Sequence, residues 1–390
     1  MLDHRVHVIG AEPAGLVAAI NLAREGFKVV VYDGRPDIGH RHFGEFQVIE
    51  NWTMESDARE FLESIGVLEN FYCSPFARLE IFPPSMKSHT ISTSTPLLYV
   101  VERGEPEWGI DQGLKRQALA EGVEFRWNQE AEPLSSGWVI RTVTDRVADL
   151  VVRGMVFHTE SPEDCRVVLN DRIAPKGLAY LLVRNSLATF AILSMSGDGV
   201  IVDDIWLEKA RATLATISDI EVREPRVFQE KIHLPRSGMS LHNGQTINIG
   251  DAVGFGDALW GFGLRNSMLS GYLAAVSIRT GLFYDDLCRH RLCPAVNASL
   301  ANRWLFSHLG NPGYGWMIRR LTARPDFAAA MRRLYRPSRL KRLMLHFTQN
   351  PVQSSARDMV ILEPEGPLSP EFTGTVSSGK NVDTRTRFSR

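Results

Sequence analysis

VHVIGAEPAGLVAAINLAREGFKVVVYD, residues 6–33, decides the fold. Val6, Val8 and Ile9 form a short apolar run, the length of a buried strand and too short to span a membrane. Gly10, Pro13 and Gly15 break that run, and from about Pro13 the residues Leu16, Ala19, Ile20 and Ala23 recur on one helical face. Gly26 ends the helix. Val29, Val30, Val31 and Tyr32 make a second strand, closed by Asp33. Strand, glycine turn, helix, strand and terminal acid, in that order, read as a dinucleotide-binding βαβ unit.

Each position has a physical reason. The turn from Gly10 through Ala11, Pro13 and Ala14 aims the first amides of the helix at a pyrophosphate. Gly15 lets the helix lie close on the sheet. Asp33, followed by Gly34 and Arg35, can accept hydrogen bonds from both ribose hydroxyls of an adenosine. One residue departs from the pattern. Glu12 stands where a second glycine normally lets the backbone approach the phosphates. A carboxylate there opposes them unless it turns outward.

Composition fits a large globular enzyme. The chain has 390 residues, a net charge near zero and four cysteines at no metal-binding spacing. Two closely packed domains are expected, with reduced thiols in a cytoplasmic setting. Near neutrality gives no bulk attraction to nucleic acid, and none is expected as a partner. The first strand begins almost at once, so no signal peptide is expected, and no apolar run is long enough to cross a bilayer.

Past Asp33, residues 34–52 are polar, glycine-rich and histidine-containing, and read as a loop near the dinucleotide. Within it Arg35 can contact adenosine or phosphate, and Arg41 can reach a pyrophosphate or a ring system. His40 and His42 alternate, but no third ligand is evident and no metal is expected. Residues 56–66 carry an acidic helix signature. Residues 76–99 alternate as an antiparallel sheet with a wet face, the start of a substrate domain. Residues 100–125 return to helix and strand, and 174–182 look like a hairpin. Asp203 to Ile217 reads as a helix.

The second strong signal is INIGDAVGFGDALWGFGLRNSMLSGYLAAVSI, residues 247–278. Ile247 and Ile249 end a strand, Gly250 and Asp251 sit at its tip, and Gly254, Gly256 and Gly261 keep the following backbone open. Gly263 then begins a long helix with Leu264, Met268, Leu269, Tyr272 and Leu273 on one face. A carboxylate at such a tip can hold sugar-like hydroxyls. A helix N-terminus there favours the electron-rich end of a reduced ring.

With both signals placed, the chain resembles the FAD-dependent oxidoreductases that include geranylgeranyl reductases, lycopene cyclases and aromatic-ring hydroxylases. The geranylgeranyl-reductase branch is nearest in look. The resemblance rests on GAEPAG at 10–15, Asp33, the IG…R…GE run from Ile38 to Glu45, Pro175-Lys176-Gly177 with Ala179-Tyr180, and residues 250–271. It spans about residues 6 to 280, sparsely in the middle. It implies FAD, held by the Gly10 turn at its pyrophosphate and by Asp33 at its adenosine ribose. It also implies Asp251 near the pyrophosphate and ribityl chain, Gly261, Phe262 and Gly263 against the isoalloxazine, and Arg103 near the flavin chain. Nicotinamide, if used, arrives transiently as reductant.

Three departures limit what carries over. Glu12 is one. Asp33 is a methylene shorter than the usual glutamate. The run Arg41-His42-Phe43-Gly44-Glu45 lacks the cysteine that geranylgeranyl reductases often carry there, so no thiol-dependent mechanism transfers. Residues 143–156 also lack the Asp-Gly motif of the hydroxylases. The proton donors expected by type are His42, Glu45 and Tyr180.

The expected fold is α/β, a Rossmann-like FAD-binding domain with an interleaved antiparallel-sheet substrate domain and a helical C-terminal region. Residues 1–75, 100–155 and 241–285 are assigned to the FAD-binding domain, and 76–99 and 156–240 to the substrate domain. C-terminal helices take 286–358, and 359–390 form a Gly-, Pro-, Ser- and Thr-rich tail. Between Trp316 and Arg342 there are nine arginines or lysines and one acid, Asp326. With Trp304, Leu305, Phe306, Trp316, Met317 and Ile318 beside them, these helices suit peripheral contact with an anionic membrane or closure over a long apolar substrate. The expected activity is reduction of a carbon–carbon double bond in a large apolar or isoprenoid molecule. The alternatives are a flavin-dependent monooxygenase or halogenase acting on a small secondary metabolite, and a flavoprotein that binds a partner without turnover.

Overall fold

The computed structural model describes residues 5–129, 136–195, 203–236, 240–324 and 326–348; the expected tail, 359–390, lies outside them. β1 (Arg5–Ile9), α1 (Pro13–Arg24) and β2 (Lys28–Asp33) form a parallel βαβ unit. The chain continues through β3 (Phe43–Glu50), α2 (Ala58–Ser64), β4 (Cys73–Phe76), β5 (Arg78–Phe82), β6 (His89–Ser92) and β7 (Leu98–Gly104). Next come α3 (Ile110–Ala120), β8 (Glu124–Trp127) and β9 (Trp138–Arg141), followed by β10 (Leu150–His158), β11 (Asp164–Val168), β12 (Leu178–Arg184) and β13 (Leu187–Met195). After α4 (Asp203–Ile217) and β14 (Arg223–Ile232) the short β15 (His242–Asn243) and β16 (Thr246–Asn248) lead to α5 (Leu264–Thr280). The last described elements are α6 (Tyr284–Arg291), α7 (Cys293–Thr322), α8 (Phe327–Tyr335) and α9 (Arg339–Leu345).

These strands make three sheets. The first has the order β15-β16-β9-β1-β2-β8, parallel except for β15. Its central strands are nearly continuous apolar runs because helices cover the sheet. Gly10 has φ +98°, and a Cβ on it would lie 2.1 Å from Thr142 Oγ1, so only glycine fits. At the contact of α1 with α5, a Cβ on Gly271 would lie 2.0 Å from the Ala14 carbonyl oxygen. That close approach holds the strand tip of Gly250 and Asp251 against the first turn of α1.

The second sheet runs β14-β10-β13-β12-β11-β5-β6 and is antiparallel except between β11 and β5. Period-two alternation divides its faces. On β12, Ala179, Leu181 and Val183 pack under Trp206, Ala210, Leu214 and Ile217 of α4. Leu178, Tyr180 and Leu182 point the other way, into a cleft. A third sheet, β3-β7-β4, packs through β3 on β10 and β13 of the second sheet and on α5.

Several expectations change. The segment read as a loop, 34–52, contains β3, paired antiparallel with β7. Its polar residues mark interior hydrogen bonds rather than solvent exposure. β7 and β10 fall in the range assigned to the FAD-binding domain, yet β7 pairs with β3 and β4, and β10 lies between β13 and β14. The hairpin expected at 174–182 is displaced: its turn is Asn185-Ser186, both at positive φ, joining β12 to β13. α7 is two helical segments, 293–309 and 311–322, broken at Gly310 (φ 58°, ψ −174°) ahead of Pro312. Among the described residues no helix is long and apolar enough to cross a membrane.

Candidate functional site

One cleft runs from the first turn of α1, past β3, to the inner face of the second sheet and the C-terminal helices. Beside Glu12, which lines its polar end, Ala11 N donates to Asp33 Oδ2 (2.9 Å). Arg35 closes over the same carboxylate, donating through N and Nε to Oδ1 (3.0 and 2.8 Å) and through Nη2 to Oδ2 (2.7 Å). A carboxylate offers about four acceptor sites, and these contacts use all of them. A ribose therefore reaches Asp33 only if Arg35 gives way.

Glu12, the anomalous residue of the turn, does not face away from the cleft. Its Oε1 accepts from Arg35 Nη2 (2.9 Å) and pairs with Arg41 Nη2 (3.2 Å), and its Oε2 lies 3.8 Å from Arg103 Nη2. Burial by itself raises the Glu12 pKa, but Arg41, Arg35 and Arg103 outweigh it and hold the group well below the usual carboxylate range. Arg103 is itself anchored in the interior. It donates to Asp111 through Nε (2.8 Å) and Nη2 (3.1 Å) and to Gln47 Oε1 through Nη1 (2.7 Å).

The expected proton donors separate. His42 and Glu45 are buried behind the cleft wall, while Tyr180 lines it. His42 Nδ1 makes a very short contact with Glu45 Oε1 and lies 3.0 Å from Glu230 Oε1. Its Nε2 faces Arg103 Nη2 (3.1 Å) and Arg41 Nε (3.3 Å). Burial and Arg103 oppose a charge on His42, but the carboxylates of Glu230 and Glu45 prevail and push it up to about 9. Glu230 also accepts twice from Gln47 Nε2 (2.8 and 2.9 Å) and is the acid of this group that lines the cleft. Burial and the charges of Glu230 and Glu45 push the Tyr180 phenol far up, so it stays protonated.

Glu230 was not singled out from the sequence. Its signal is its parity with Phe228 and Ile232 on β14, an acid on the face that carries apolar residues. It also supplies a third potential ligand beside His42 that was not evident in the sequence: ligand atoms of His42, Glu45 and Glu230 lie within 4.8 Å of one another. Two guanidinium groups cap the same imidazole, which opposes a cation there. His40 points away, to Glu105 (3.1 Å).

The glycine-rich loop lies across the cleft. Asp251 presents a half-exposed side chain, with His233 Nδ1 3.8 Å from its Oδ2. That buried nitrogen has no hydrogen-bond partner. Gly256 and Gly263 both line the cleft, and neither has left-handed backbone. A Cβ on Gly263 would meet only Gly256 Cα at 3.8 Å, and one on Gly256 would come no closer than 3.6 Å to any atom. Packing of the chain does not require glycine at either place, whereas a flat ring laid on the loop does. Together with the α1 turn, these residues fit a flavin dinucleotide.

The far end is apolar. Leu79, Ile81, Val152, Val167, Leu182 and Leu193 come from the second sheet, and Met317, Ile318, Leu321, Phe327 and Met331 from α7 and α8. Of the apolar residues expected to serve a membrane, Phe306 and Ile318 are buried, whereas Leu305 and Trp316 are exposed.

A parallel βαβ sheet joined to a large antiparallel sheet over a shared cleft defines a two-domain Rossmann-type fold, and comparison with known proteins agrees. Residues 8–55 match the family described as NAD(P)-binding Rossmann-like domain. A geranylgeranyl bacteriochlorophyll reductase-like protein from Thermoplasma acidophilum superposes with a TM-score of 0.68 over 85% of this chain and 95% of that one, at 15% identity. A flavin-dependent brominase gives 0.59 over 85% and 92% at 14% identity. A 2-methyl-3-hydroxypyridine-5-carboxylic acid oxygenase gives 0.53 over 86% and 98% at 16% identity. The thiamine thiazole synthase of Pyrococcus horikoshii is 33% identical over 66 residues, 17% of this chain, and the match spans about a quarter (26%) of that protein's length. The chain shares the fold of these solved structures, the fold that the sequence resemblance implied.

Proposed function

We propose that the protein is a FAD-dependent oxidoreductase that reduces a carbon–carbon double bond in a large apolar, isoprenoid-like substrate. The observation that carries this reading is the polarity of this cleft. Its charged end lies on the dinucleotide turn, and its other end is walled by aliphatic side chains of the second sheet and of α7 and α8. Asp33, Arg35, Arg41, Arg103, Asp251 and the α1 turn hold the dinucleotide, with the loop Gly261-Phe262-Gly263 against the ring. Flavin, when bound, supplies two-electron hydride chemistry. Saturating an alkene adds one hydride and one proton, and the two electrons come from an external donor, for which NAD(P)H is the natural class. Tyr180 faces the cleft as a neutral phenol able to donate the proton and to regain one from solvent, while Glu230 stays ionised beside His42. The apolar wall binds the chain at roughly 0.8 kcal/mol per buried CH₂.

The likeness to a brominase and an oxygenase supports a second reading, oxygenation or halogenation of a small aromatic metabolite. Incubating the reduced protein anaerobically with prenyl lipids or small aromatics separates the two. Flavin reoxidation with a two-hydrogen mass gain in a prenyl compound supports the reductase. Silence toward every prenyl compound, with aromatic-coupled oxygen uptake once air is admitted, replaces it with the second reading. Exposed Trp316, Leu340 and Leu343 on the arginine-rich helices, with exposed Phe347 just past α9, support peripheral contact with anionic lipid. Co-sedimentation with anionic but not neutral vesicles tests that.

A further inference from the structure

Resting on the dinucleotide reading above, we propose that Glu12 is a tethered stand-in for phosphate. Its carboxylate occupies the anion subsite formed by Arg35 and Arg41, and the diphosphate of a bound dinucleotide must replace it there. Three observations lead to this. Glu12 sits at the first turn of α1, at the helix end that attracts anions, and its carboxylate makes no capping hydrogen bond to that helix. It turns instead to Arg35 Nη2 (2.9 Å) and Arg41 Nη2 (3.2 Å). Arg103, though nearby, is already matched by two hydrogen bonds to Asp111, which leaves Arg41 as the guanidinium whose ion pair is Glu12.

The consequence is an exchange of anions rather than a simple gain. A diphosphate entering the site competes with a carboxylate that the chain holds at high local concentration. Proton uptake does not relieve the competition, because the arginines keep Glu12 ionised. Arg35 Nη2 bonds both Glu12 and Asp33, so release of Glu12 also loosens the guanidinium that covers the ribose-binding acid. Glu12 thereby sets how tightly the dinucleotide is held and how readily it leaves.

The test is titration of the flavin-stripped full chain with FAD, and separately with inorganic pyrophosphate, for wild type, Glu12→Gln and Glu12→Gly. The glutamine keeps the shape and removes the charge. The glycine fits the extended backbone at this position (φ −85°, ψ 161°) and guards against a glutamine-specific effect. Both variants should bind FAD and pyrophosphate at least 10-fold more tightly than wild type, and Arg41→Gln should weaken binding more in the Glu12→Gln background than in wild type. If wild type binds FAD and both variants bind it equally or more weakly, the stand-in role is wrong while the flavin reading stands. If no form binds FAD but the variants gain pyrophosphate affinity, the flavin reading fails and the stand-in role holds. Absence of both effects overturns both.

Discussion

Gly263→Ala should leave the fold intact and damage flavin binding. The nearest atom to a Cβ at this position is Gly256 Cα at 3.8 Å, ordinary van der Waals contact, and the backbone lies at φ −141°. Alanine reduces the freedom of the unfolded chain, a gain of about 0.4–1 kcal/mol. Gly263 is also the N-cap of α5, and alanine is a poorer cap by up to about 1 kcal/mol. The two nearly cancel, so Tm should move by no more than about 4 °C. A methyl pressed into a bound ring is overpacking, at about 1–3 kcal/mol, or roughly 5- to 150-fold in Kd. Flavin-fluorescence titration and a melt of the flavin-stripped chain measure the two effects separately. Gly271→Ala is the contrasting case, because its Cβ would lie 2.0 Å from the Ala14 backbone oxygen. It should lose about 3 kcal/mol or more of stability. A Gly263→Ala protein with unchanged melt and unchanged FAD affinity would refute the placement of the ring on this loop.

Asp251→Ala should weaken FAD about 10- to 100-fold, the loss of one charged hydrogen bond, with little change in the thermal melt; an unchanged Kd removes Asp251 from the site. His42 should give a pH signature. Its pKa rises on folding from 6.5 to about 9, so its contribution is fully present below about pH 6.5 and is lost as pH rises through about 9, on the order of 3 kcal/mol in all. The stability gap between wild type and His42→Gln should therefore shrink between pH 6 and pH 10, and a constant gap contradicts the charged pairing with Glu45 and Glu230. Met331→Trp, which fills the apolar end, should raise KM for a long prenyl substrate at least 10-fold while FAD affinity stays unchanged; an unchanged KM places the substrate elsewhere.

What the sequence made legible was local. The βαβ unit announces itself because one apolar run, one glycine turn and one helical periodicity are contiguous, and the same holds for the strand tip and helix around Gly250 to Gly271. β3 was not legible. FGEFQVIE carries buried polar groups, and its partner β7 lies about fifty residues further on, so no local pattern marks it as a strand. The anomaly at Glu12 was visible, but its significance depends on Arg35, Arg41 and Arg103, which only the fold brings together. Glu230 is the clearest miss. It meets His42 across 188 positions of sequence, from a strand whose outer residues alternate with solvent. The break in α7 at Gly310 is a backbone event that Gly-Asn-Pro permits without announcing.

The central claim is that the cleft holds FAD by its adenosine and pyrophosphate halves as well as by its ring. Parallel titration of the flavin-stripped chain with FAD and with FMN tests this most directly, because FMN keeps the ring, the ribityl chain and one phosphate but lacks the second phosphate and the adenosine that Asp33, Arg35 and the α1 turn would also hold. FAD should bind at least 100-fold more tightly than FMN, and Asp33→Asn should erase most of that preference. Equal affinity for the two flavins, or affinity for neither, contradicts the account.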